Sequence, residues 1–183
     1  MASFAGRLLI ATPQLRGSTF TRAVILLLDH DGDGALGVVL NRPSELPLQA
    51  VLPSWADVVT GPPVLFAGGP VARDSALAVG VSFDAVPAEG FRQLTGTFGL
   101  VDLDADADAI GARLVGVRVF SGYAGWGDGQ LEGEIEEGSW YVVSAMPADV
   151  LTAAPQGLWR SVLRRQPGEL SYLATYADDP TMN

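Results

Sequence analysis

The sequence feature that most constrains the fold is a pair of aliphatic runs joined by a short Asp- and Gly-rich turn. The first run, Ala23–Leu28, leads into the turn Asp29–Gly34. The second run, Ala35–Leu40, stops shortly before Pro43. Two apolar runs around such a turn predict a β-hairpin. Because neither run alternates apolar and polar residues, we expect both strands to be covered on both faces of their sheet.

The rest of the chain alternates strand patterns with helical ones. Further strands are predicted at Arg7–Ala11, Pro63–Ala67, Ala76–Phe83, Phe98–Leu103, Val117–Ser121 and Trp140–Ala145. Helices are predicted at Asp104–Val115, Gly127–Glu137, Pro147–Ala153, Gln156–Arg165 and Pro167–Ala174, and Pro47–Val58 should be a helix in two pieces because Pro53 interrupts it. A strand-rich body with a helical C-terminal part indicates an α+β fold. The length of 183 residues is that of one domain, residues 1–183.

The charged and sulfur-containing residues exclude several kinds of chemistry. The chain has 11 basic and 21 acidic residues, and its net charge of −10 makes nucleic acid an unlikely partner. All the basic residues are Arg, so a Walker A lysine and a lysine Schiff base are both excluded. With no Cys and a single His, the chain cannot form a thiolate site or a zinc site with several histidines.

Membrane insertion and secretion are not expected from the apolar segments. The longest unbroken aliphatic run, Ala23–Leu28, is far shorter than the ~18 residues that a membrane helix needs. The run Leu8–Ala11 is too short for the apolar core of a signal peptide. The absence of Cys fits a reducing compartment. We therefore expect a cytoplasmic protein without a membrane partner.

Three patterns match metal or nucleotide motifs only in part. Asp29–Gly34 opens like a calcium loop, but Leu40 stands where that loop needs a bidentate Glu. The alternating carboxylates of Asp102–Asp108 lack the Gly and the Glu of the same motif. Residues 32–37 have the GxGxxG spacing of a dinucleotide site, but a strand follows them where a helix N-terminus is required. We expect no metal and no cofactor.

The densest group of unusual residues is Gly122–Glu132, with the sequence GYAGWGDGQLE. Its glycines indicate special backbone angles or close backbone approach, and we expect at least two of them to need a positive φ. The segment is either a binding platform ahead of a helix or a tight turn that packs Trp126 into the core. On the following helix, Gln130 and Glu134 would share one face, and Glu132 is expected on a solvated one.

Two isolated basic features have more than one interpretation. His30 could be a structural residue, a contact for a ligand or partner, or a general base. The cluster Arg160, Arg164 and Arg165 lies near a helix C-terminus, where the helix dipole favours cations. We expect these arginines to be solvated rather than bound to phosphate.

Four motifs follow one another along the chain: GRLLIATP at residues 6–13, GALGVVLNRP at 34–43, GGPV at 68–71 and GYAGWGDGQLEGE at 122–134. In this order they resemble the bacterial YqgE/AlgH family. The resemblance implies an α+β fold in which a bent, mixed or antiparallel sheet forms a pseudo-barrel with peripheral helices. It implies no particular reaction, although some members are called transcriptional regulators. The chain departs from the family pattern at residues 16–18, which lack an acidic residue, and at Ala78, where many members have His.

We expect these motifs to form one candidate surface for a ligand or partner. Its residues are Arg22, His30, Asn41, Arg42, Gly68, Gly69, Tyr123, Trp126, Gln130 and Glu134. The leading hypothesis is a cytosolic, non-enzymatic binding protein for an unknown protein or small molecule, with regulation as one role it could serve. Strand ends and loops are where such groups usually gather.

The rival hypothesis is an enzyme of unknown reaction. His30 or Glu134 would be the base, and Arg22 or Arg42 would stabilise an anion. In an enzyme, His30 should lie within hydrogen-bond reach of a carboxylate in a cleft. A third hypothesis, a DNA-binding regulator, is disfavoured by the net charge of −10.

Overall fold

A computed structural model describes residues 2–15, 18–86 and 88–176, and a strongly bent sheet lies at its centre. Within these residues the sheet has ten strands. They are β1 (Arg7–Ala11), β2 (Val24–Asp31), β3 (Gly34–Val39), β4 (Pro43–Pro47), β5 (Val64–Ala67), β6 (Val71–Val81), β7 (Phe91–Thr95), β8 (Phe98–Val101), β9 (Gly116–Trp126) and β10 (Trp140–Ser144). Antiparallel neighbours follow the order β10-β1-β2-β3-β9-β6-β8-β7, while β5 pairs with β4 and runs parallel to β9.

Short helices lie at the periphery of the sheet and dominate the C-terminal part. They are α1 (Leu48–Val51), α2 (Ala107–Gly111), α3 (Gln130–Glu136), α4 (Pro147–Val150) and α5 (Leu158–Arg164), with 3-10 turns at Pro53–Trp55, Pro155–Gly157 and Gly168–Thr175. The sheet curls into a half-barrel, which confirms the predicted α+β class and its bent sheet. Among the described residues no helix combines the length and apolar character needed to cross a bilayer.

The predicted hairpin is formed by β2 and β3. Ile25 lies opposite Val39 and His30 lies opposite Ala35, with a bulge between Leu27 and Asp29. The residues from Val24 to Leu27 have no exposed surface, so both faces of β2 are covered as expected. Burying a side chain of this size contributes about 1.5–3 kcal/mol.

Each face of the sheet packs against a different helical layer. One cluster joins alternate residues of β2, such as Leu26, to Trp159 and Leu163 of α5. A second cluster, on the opposite face of β2, joins Ile25 to Leu131 of α3 and contains Trp126 and Trp140. A third covers the β6–β8 half of the sheet with Trp55 and Ile110. The second cluster is the one on which the candidate residues depend.

The structure corrects several predicted elements. Strands β4 and β7 were not expected, because β4 begins and ends with Pro and β7 has the polar pattern FRQLT. Such short strands depend on pairing with a neighbour rather than on their own apolar pattern. The helix predicted at Asp104–Val115 is only α2, because Asp106 caps it two residues after that start. The helical pattern at Pro167–Ala174 is a 3-10 helix.

Candidate functional site

The glycine-rich motifs meet along β9. This strand continues to Trp126 instead of stopping at Ser121 as predicted. A Cβ atom at Gly34 would overlap the carbonyl oxygen of Trp126, and one at Gly68 would overlap that of Gly122. Backbone therefore approaches backbone here more closely than any side chain would allow. The motifs converge because they pack β3, β5 and β9 together.

Two glycines of the GYAGWGDG segment have positive φ, which confirms the expected minimum. Gly122 has φ +70° and Gly129 has φ +69°. At Gly122 an added Cβ would also lie 2.6 Å from the carbonyl oxygen of Gly69 and 2.7 Å from that of Val71. At Gly127 an added Cβ would meet nothing within 4 Å. Residues 122–126 therefore extend β9, and Gly122 is the position in this extension where both a positive φ and nearby carbonyl oxygens require glycine.

Trp126 belongs to the core and anchors a hydrogen-bonded cluster. Its side chain is only 6% exposed. The Oε2 atom of Glu134 accepts the indole N–H groups of Trp126 at 2.9 Å and of Trp140 at 2.8 Å. The Oε1 atom accepts from Gln130 Nε2 at 3.1 Å. The Glu134 carboxylate thus accepts three hydrogen bonds, and two of them fix the positions of the indole rings.

Phe20 connects this cluster to the loop before β2. Its ring centroid lies 6.5 Å from that of Trp126 and 5.7 Å from that of Trp140. Aromatic pairs in these arrangements stabilise by about 0.5–1.5 kcal/mol beyond the burial of their area. The loop of residues 18–22 is therefore attached to the core by an aromatic side chain.

His30 is buried and both of its ring nitrogens are occupied. Its Nδ1 accepts the backbone N–H of Phe4 at 2.9 Å, and its Nε2 lies 2.6 Å from Glu132 Oε1. Because an N–H donor faces Nδ1, the proton of the neutral ring must be on Nε2, which donates to the carboxylate. The Phe4 ring stacks on the imidazole at 5.2 Å. The ring therefore has no free lone pair with which to take a proton.

The contact with His30 corrects the expectation that Glu132 is on a solvated face. The hydrogen bond from His30 is the largest cause that holds the pKa of Glu132 below its ordinary value. The distance expected of a catalytic pair is thus met, and a cavity of about 790 Å³ lies beside it. Its lining residues are Ser3, His30, Asp31, Gly32, Asp128, Gly129 and Glu132.

The ten candidate residues do not form one continuous site. Arg22 precedes β2 and His30 lies near its end. At roughly 3.3 Å per residue, the strand between them separates the two positions by about 26 Å. Asn41, Arg42, Gly68 and Gly69 belong with Arg22, while Gln130 and Glu134 lie on the helix that also contacts His30. Tyr123 packs against the core cluster on the α5 face of the sheet.

Asn41 and Arg22 stabilise the entry to β2. Asn41 accepts the backbone N–H of Val24 through Oδ1 at 3.0 Å and donates through Nδ2 to the carbonyl of Arg22 at 2.9 Å. Arg22 has φ +55°, which is rare for a residue with a side chain. Its guanidinium lies 4.5 Å from the centre of the Trp159 ring. Both side chains therefore have structural contacts that account for their positions.

Arg42 holds the 18–22 loop over a small cavity. Its guanidinium donates to the carbonyl of Thr19 and to that of Thr21, the latter at 3.0 Å. Partial burial lowers the pKa of Arg42. The cavity has a volume of about 330 Å³. Its lining residues are Thr19, Phe20, Val39, Arg42, Ala67, Gly69, Arg73 and Ser121, and we call it the Arg42 cavity.

Sequence reasoning missed two residues that line or support this region. Arg73 lines the Arg42 cavity but stands outside the four motifs. Arg118 is 1% exposed, and burial lowers its pKa to about 10. It donates to the carbonyls of Val150 and Gly61, each at 2.7 Å. The lone Arg in the apolar run GVRVF was the available signal for Arg118, whereas nothing in the sequence marked Arg73.

Of the three C-terminal arginines expected to be solvated, Arg164 is exposed, whereas Arg160 and Arg165 are bound to other parts of the protein. Arg165 forms a bidentate pair with Asp149, with distances of 2.5 and 2.6 Å. This hydrogen bond raises the pKa of Arg165. Arg160 donates to the backbone carbonyls of Ala174 and Tyr176. These two side chains are therefore used to fasten the C-terminal helices.

Metal binding has no geometric support in the described ranges, since no three His, Cys, Asp or Glu residues cluster there in a way that could hold an ion. The comparisons with known proteins agree with the sequence motifs, and they show which family the chain belongs to. The family model described as AlgH-like matches residues 8–171. The chain belongs to the AlgH-like family. The resemblance to YqgE/AlgH proteins is thereby confirmed.

Relatives of this AlgH-like protein match it over nearly their full length. A protein named UPF0301 protein from Streptomyces avermitilis is 52% identical over 188 residues, covering 100% of this chain and 97% of that protein. One of the same name from Mycobacterium tuberculosis is 49% identical over 184 residues, covering 98% and 90%. At such identity and coverage, this chain and these relatives share one fold.

Two solved structures share the fold of this AlgH-like protein. A crystal structure of a Corynebacterium diphtheriae protein has a TM-score of 0.89 at 35% identity, covering 96% of this chain and 93% of that one. The solution structure of AlgH from Pseudomonas aeruginosa has a TM-score of 0.72 at 27% identity, covering 97% and 96%. Neither description assigns a ligand or a reaction.

Proposed function

We propose that this AlgH-like protein is a cytosolic, non-enzymatic binding protein whose ligand or partner occupies the surface around the Arg42 cavity. One observation carries the proposal: the two candidate bases, His30 and Glu134, make structural hydrogen bonds, whereas guanidinium N–H donors at the cavity have no protein partner among the described residues. The difference separates groups that hold the fold together from groups available to another molecule.

The enzyme hypothesis meets its geometric expectation, since His30 contacts Glu132 beside a cavity, but both of its candidate bases are engaged in structural hydrogen bonds. His30 gives one nitrogen to the Phe4 N–H and the other to Glu132. Glu134 accepts from two indoles and from Gln130. A general base needs a lone pair that can reach the proton of a substrate. Freeing either group would require breaking contacts that hold α3 or the N-terminal segment.

The backbone around the Arg42 cavity also favours a functional role. Within the described part of the chain, the residues other than Gly with positive φ are Arg22 and Ala72. Each is close in sequence to a residue that lines the cavity, Thr19 and Arg73 respectively. Left-handed backbone at such residues costs of order 1–3 kcal/mol and is concentrated at binding and switch sites. Packing on both sides of the cavity sustains this conformation.

A DNA-binding role finds little support. The net charge is −10, and the side chains of Arg160 and Arg165 are bound within the protein. No basic face is therefore left by this cluster to track a phosphate backbone. Regulation through a protein or small-molecule partner remains compatible with the proposed surface.

The test is capture from a bacterial lysate, followed by mass spectrometry of retained proteins and small molecules. Three forms are compared: the wild type, Ala67→Phe, which fills the exposed cavity wall, and Ala109→Phe, which makes the same change on the exposed face of α2. We expect a molecule that is retained by the wild type and Ala109→Phe and lost by Ala67→Phe. Equal retention by all three forms would show that the cavity is not the binding site.

The non-enzymatic part of the proposal has its own experiment. The wild type is incubated with a metabolite extract, and each compound is followed over time. We expect binding of at most one equivalent and no turnover. Consumption of a compound over many turnovers, abolished by His30→Gln or Glu134→Gln, would establish the enzyme hypothesis instead.

A further inference from the structure

We propose that the Arg42 cavity binds a small organic anion, with Arg42 and Arg73 holding its carboxylate or phosphate group and Phe20 and Ala67 contacting its apolar body. This inference rests on the proposed function and names the chemical class of the ligand.

The charge of the cavity is opposite to that of the molecule. Two of its lining residues are Arg and none is Asp or Glu, while the whole chain has a net charge of −10. A local concentration of one charge inside a concave, partly apolar wall focuses the potential on a ligand of opposite sign. The cavity therefore selects against cations and favours an anion.

Arg42 offers preorganised donors to such an anion. The carbonyls of Thr19 and Thr21 accept from two of the five N–H donors of the guanidinium. No other protein partner of this side chain occurs among the described residues. The two bonds hold the planar group in place, so little side-chain entropy is lost when the remaining donors bind an oxyanion. Partial burial leaves its charge underhydrated, which an anion would relieve.

Arg73 is the second arginine that lines the cavity. It lies in the irregular part of β6, between the paired residues Val71 and Ala76. Its backbone carbonyl accepts the hydroxyl of Ser121, but its exposed side chain has no partner in the described part of the chain. The backbone is thus anchored while the charged group is available. Charge-assisted bonds from two arginines are typical of carboxylate and phosphate recognition.

The remaining wall determines what the anion is attached to. Phe20 and Ala67 contribute apolar surface, and Phe20 is held in place by Trp126 and Trp140. The volume of about 330 Å³ is at the lower end for small-molecule sites. A single ring or short chain with one anionic group fits these features better than a bare inorganic ion.

Four probes test the ligand class by titration of isotope-labelled protein, followed through backbone amide chemical shifts. They are benzoate, phenyl phosphate, inorganic phosphate and benzamide, which keeps the ring of benzoate without its charge. We expect benzoate or phenyl phosphate to shift the amides of residues that line the cavity, with at least tenfold weaker binding of benzamide. Inorganic phosphate should bind more weakly than phenyl phosphate because it lacks the apolar body. The ratio of the affinities for benzoate and phenyl phosphate shows whether the cavity prefers a carboxylate or a phosphate group.

Matched variants locate the interaction. Arg73→Gln should weaken binding of the better probe at least tenfold, whereas Arg92→Gln, an exposed strand arginine outside the cavity, should leave it unchanged. Arg42→Lys keeps the charge but loses the planar donors, and we expect intermediate binding. Folding of each variant is checked by its amide spectrum.

Two results would overturn the inference. One is the absence of cavity shifts with both organic anions up to about 10 mM, a concentration that detects even millimolar affinity. The other is equal binding of benzoate and benzamide, or equal binding by wild type and Arg73→Gln. If lysate capture still depends on Ala67 while the anions fail, the binding function stands and only the ligand class is wrong. If both fail, the surface itself is wrong.

Discussion

The His30 end of β2 and the Arg42 cavity contain similar polar and aromatic side chains but differ in how far these are satisfied within the protein. At the first, His30, Glu132 and the Phe4 backbone bind one another. At the second, Arg42 uses two donors on loop carbonyls, and the side chain of Arg73 has no partner among the described residues. Residue type alone therefore does not distinguish a structural network from a binding site. The two are distinguished by the number of hydrogen-bond donors and acceptors that have no partner within the protein.

The largest effect should come from the aromatic cluster between the two regions. Trp126→Ala removes a ring that is 6% exposed and contacts Phe20 and Trp140, and it leaves a cavity under α3. We expect a loss of about 3–5 kcal/mol in the free energy of unfolding, measured by urea denaturation. A silent Trp126→Ala would mean that the ring is an exposed platform rather than core.

Trp126→Phe is the control for that experiment. It keeps much of the apolar volume but removes the N–H group that donates to Glu134. The loss should be smaller than for Trp126→Ala, and it reports the hydrogen bond together with the reduced ring size. If the two variants were equally unstable, the Glu134 bond rather than packing would dominate the cluster.

A smaller effect is expected from the glycine that borders the Arg42 cavity. Gly122→Ala meets both a φ of +70° and carbonyl oxygens at 2.6 and 2.7 Å, so it should destabilise by more than ~1 kcal/mol. Gly127→Ala meets nothing within 4 Å, so it should be neutral or stabilising by roughly 0.4–1 kcal/mol. Thermal and urea unfolding of the pair decide this. Equal effects would show that the backbone near the cavity relaxes freely.

The contribution of the His30 end of β2 to the free energy of unfolding should depend on pH in the acid range. Because the folded-state pKa of Glu132 lies below its ordinary value of 4.5, its contribution is present above that pH and is lost as pH falls through the lowered pKa. The stability difference between wild type and Glu132→Gln should therefore shrink as the solution is acidified below pH 4.5.

A His30→Ala background provides the control for this pH dependence. Without the imidazole, acidification should change the Glu132→Gln difference much less, because the main cause of the lowered pKa is gone. Urea denaturation across the acid range measures both differences. A gap that widened on acidification would contradict the assignment of Nε2–H as the donor.

The smallest effect on stability is expected at the cavity itself. Arg73→Gln alters an exposed side chain without a partner in the described structure, so its free energy of unfolding should change by no more than about 0.5 kcal/mol. A loss well above this, measured by urea denaturation, would place Arg73 in the structural network and remove the contrast between the two regions.

Local sequence patterns were sufficient for much of the fold. β1 coincides with the predicted Arg7–Ala11, and the hairpin of β2 and β3 follows from aliphatic runs around a turn. Such segments are decided by apolar periodicity and turn chemistry, which act over a few residues. The weakly patterned strands β4 and β7 exist only because neighbours supply their hydrogen bonds, so their own residues did not predict them.

The candidate site was less predictable because its residues come from distant parts of the chain. The motifs included Arg42 and Gly69, which line the cavity, and also His30 and Glu134, which make structural hydrogen bonds. Arg73 lacked a motif, and only the fold brings it to the cavity of Arg42. Spacing along the chain contains no information on how many hydrogen-bond partners a side chain will find.

Composition and apolar periodicity were enough to predict the α+β class and the aliphatic hairpin and to exclude several chemistries, because these properties do not depend on long-range contacts. The contacts of the folded chain, in contrast, place Glu132 against His30, Glu134 on two indoles and two arginines at one cavity. Those outcomes depend on the bend of the sheet and the placement of α3, which bring residues separated by up to about a hundred positions into hydrogen-bond distance.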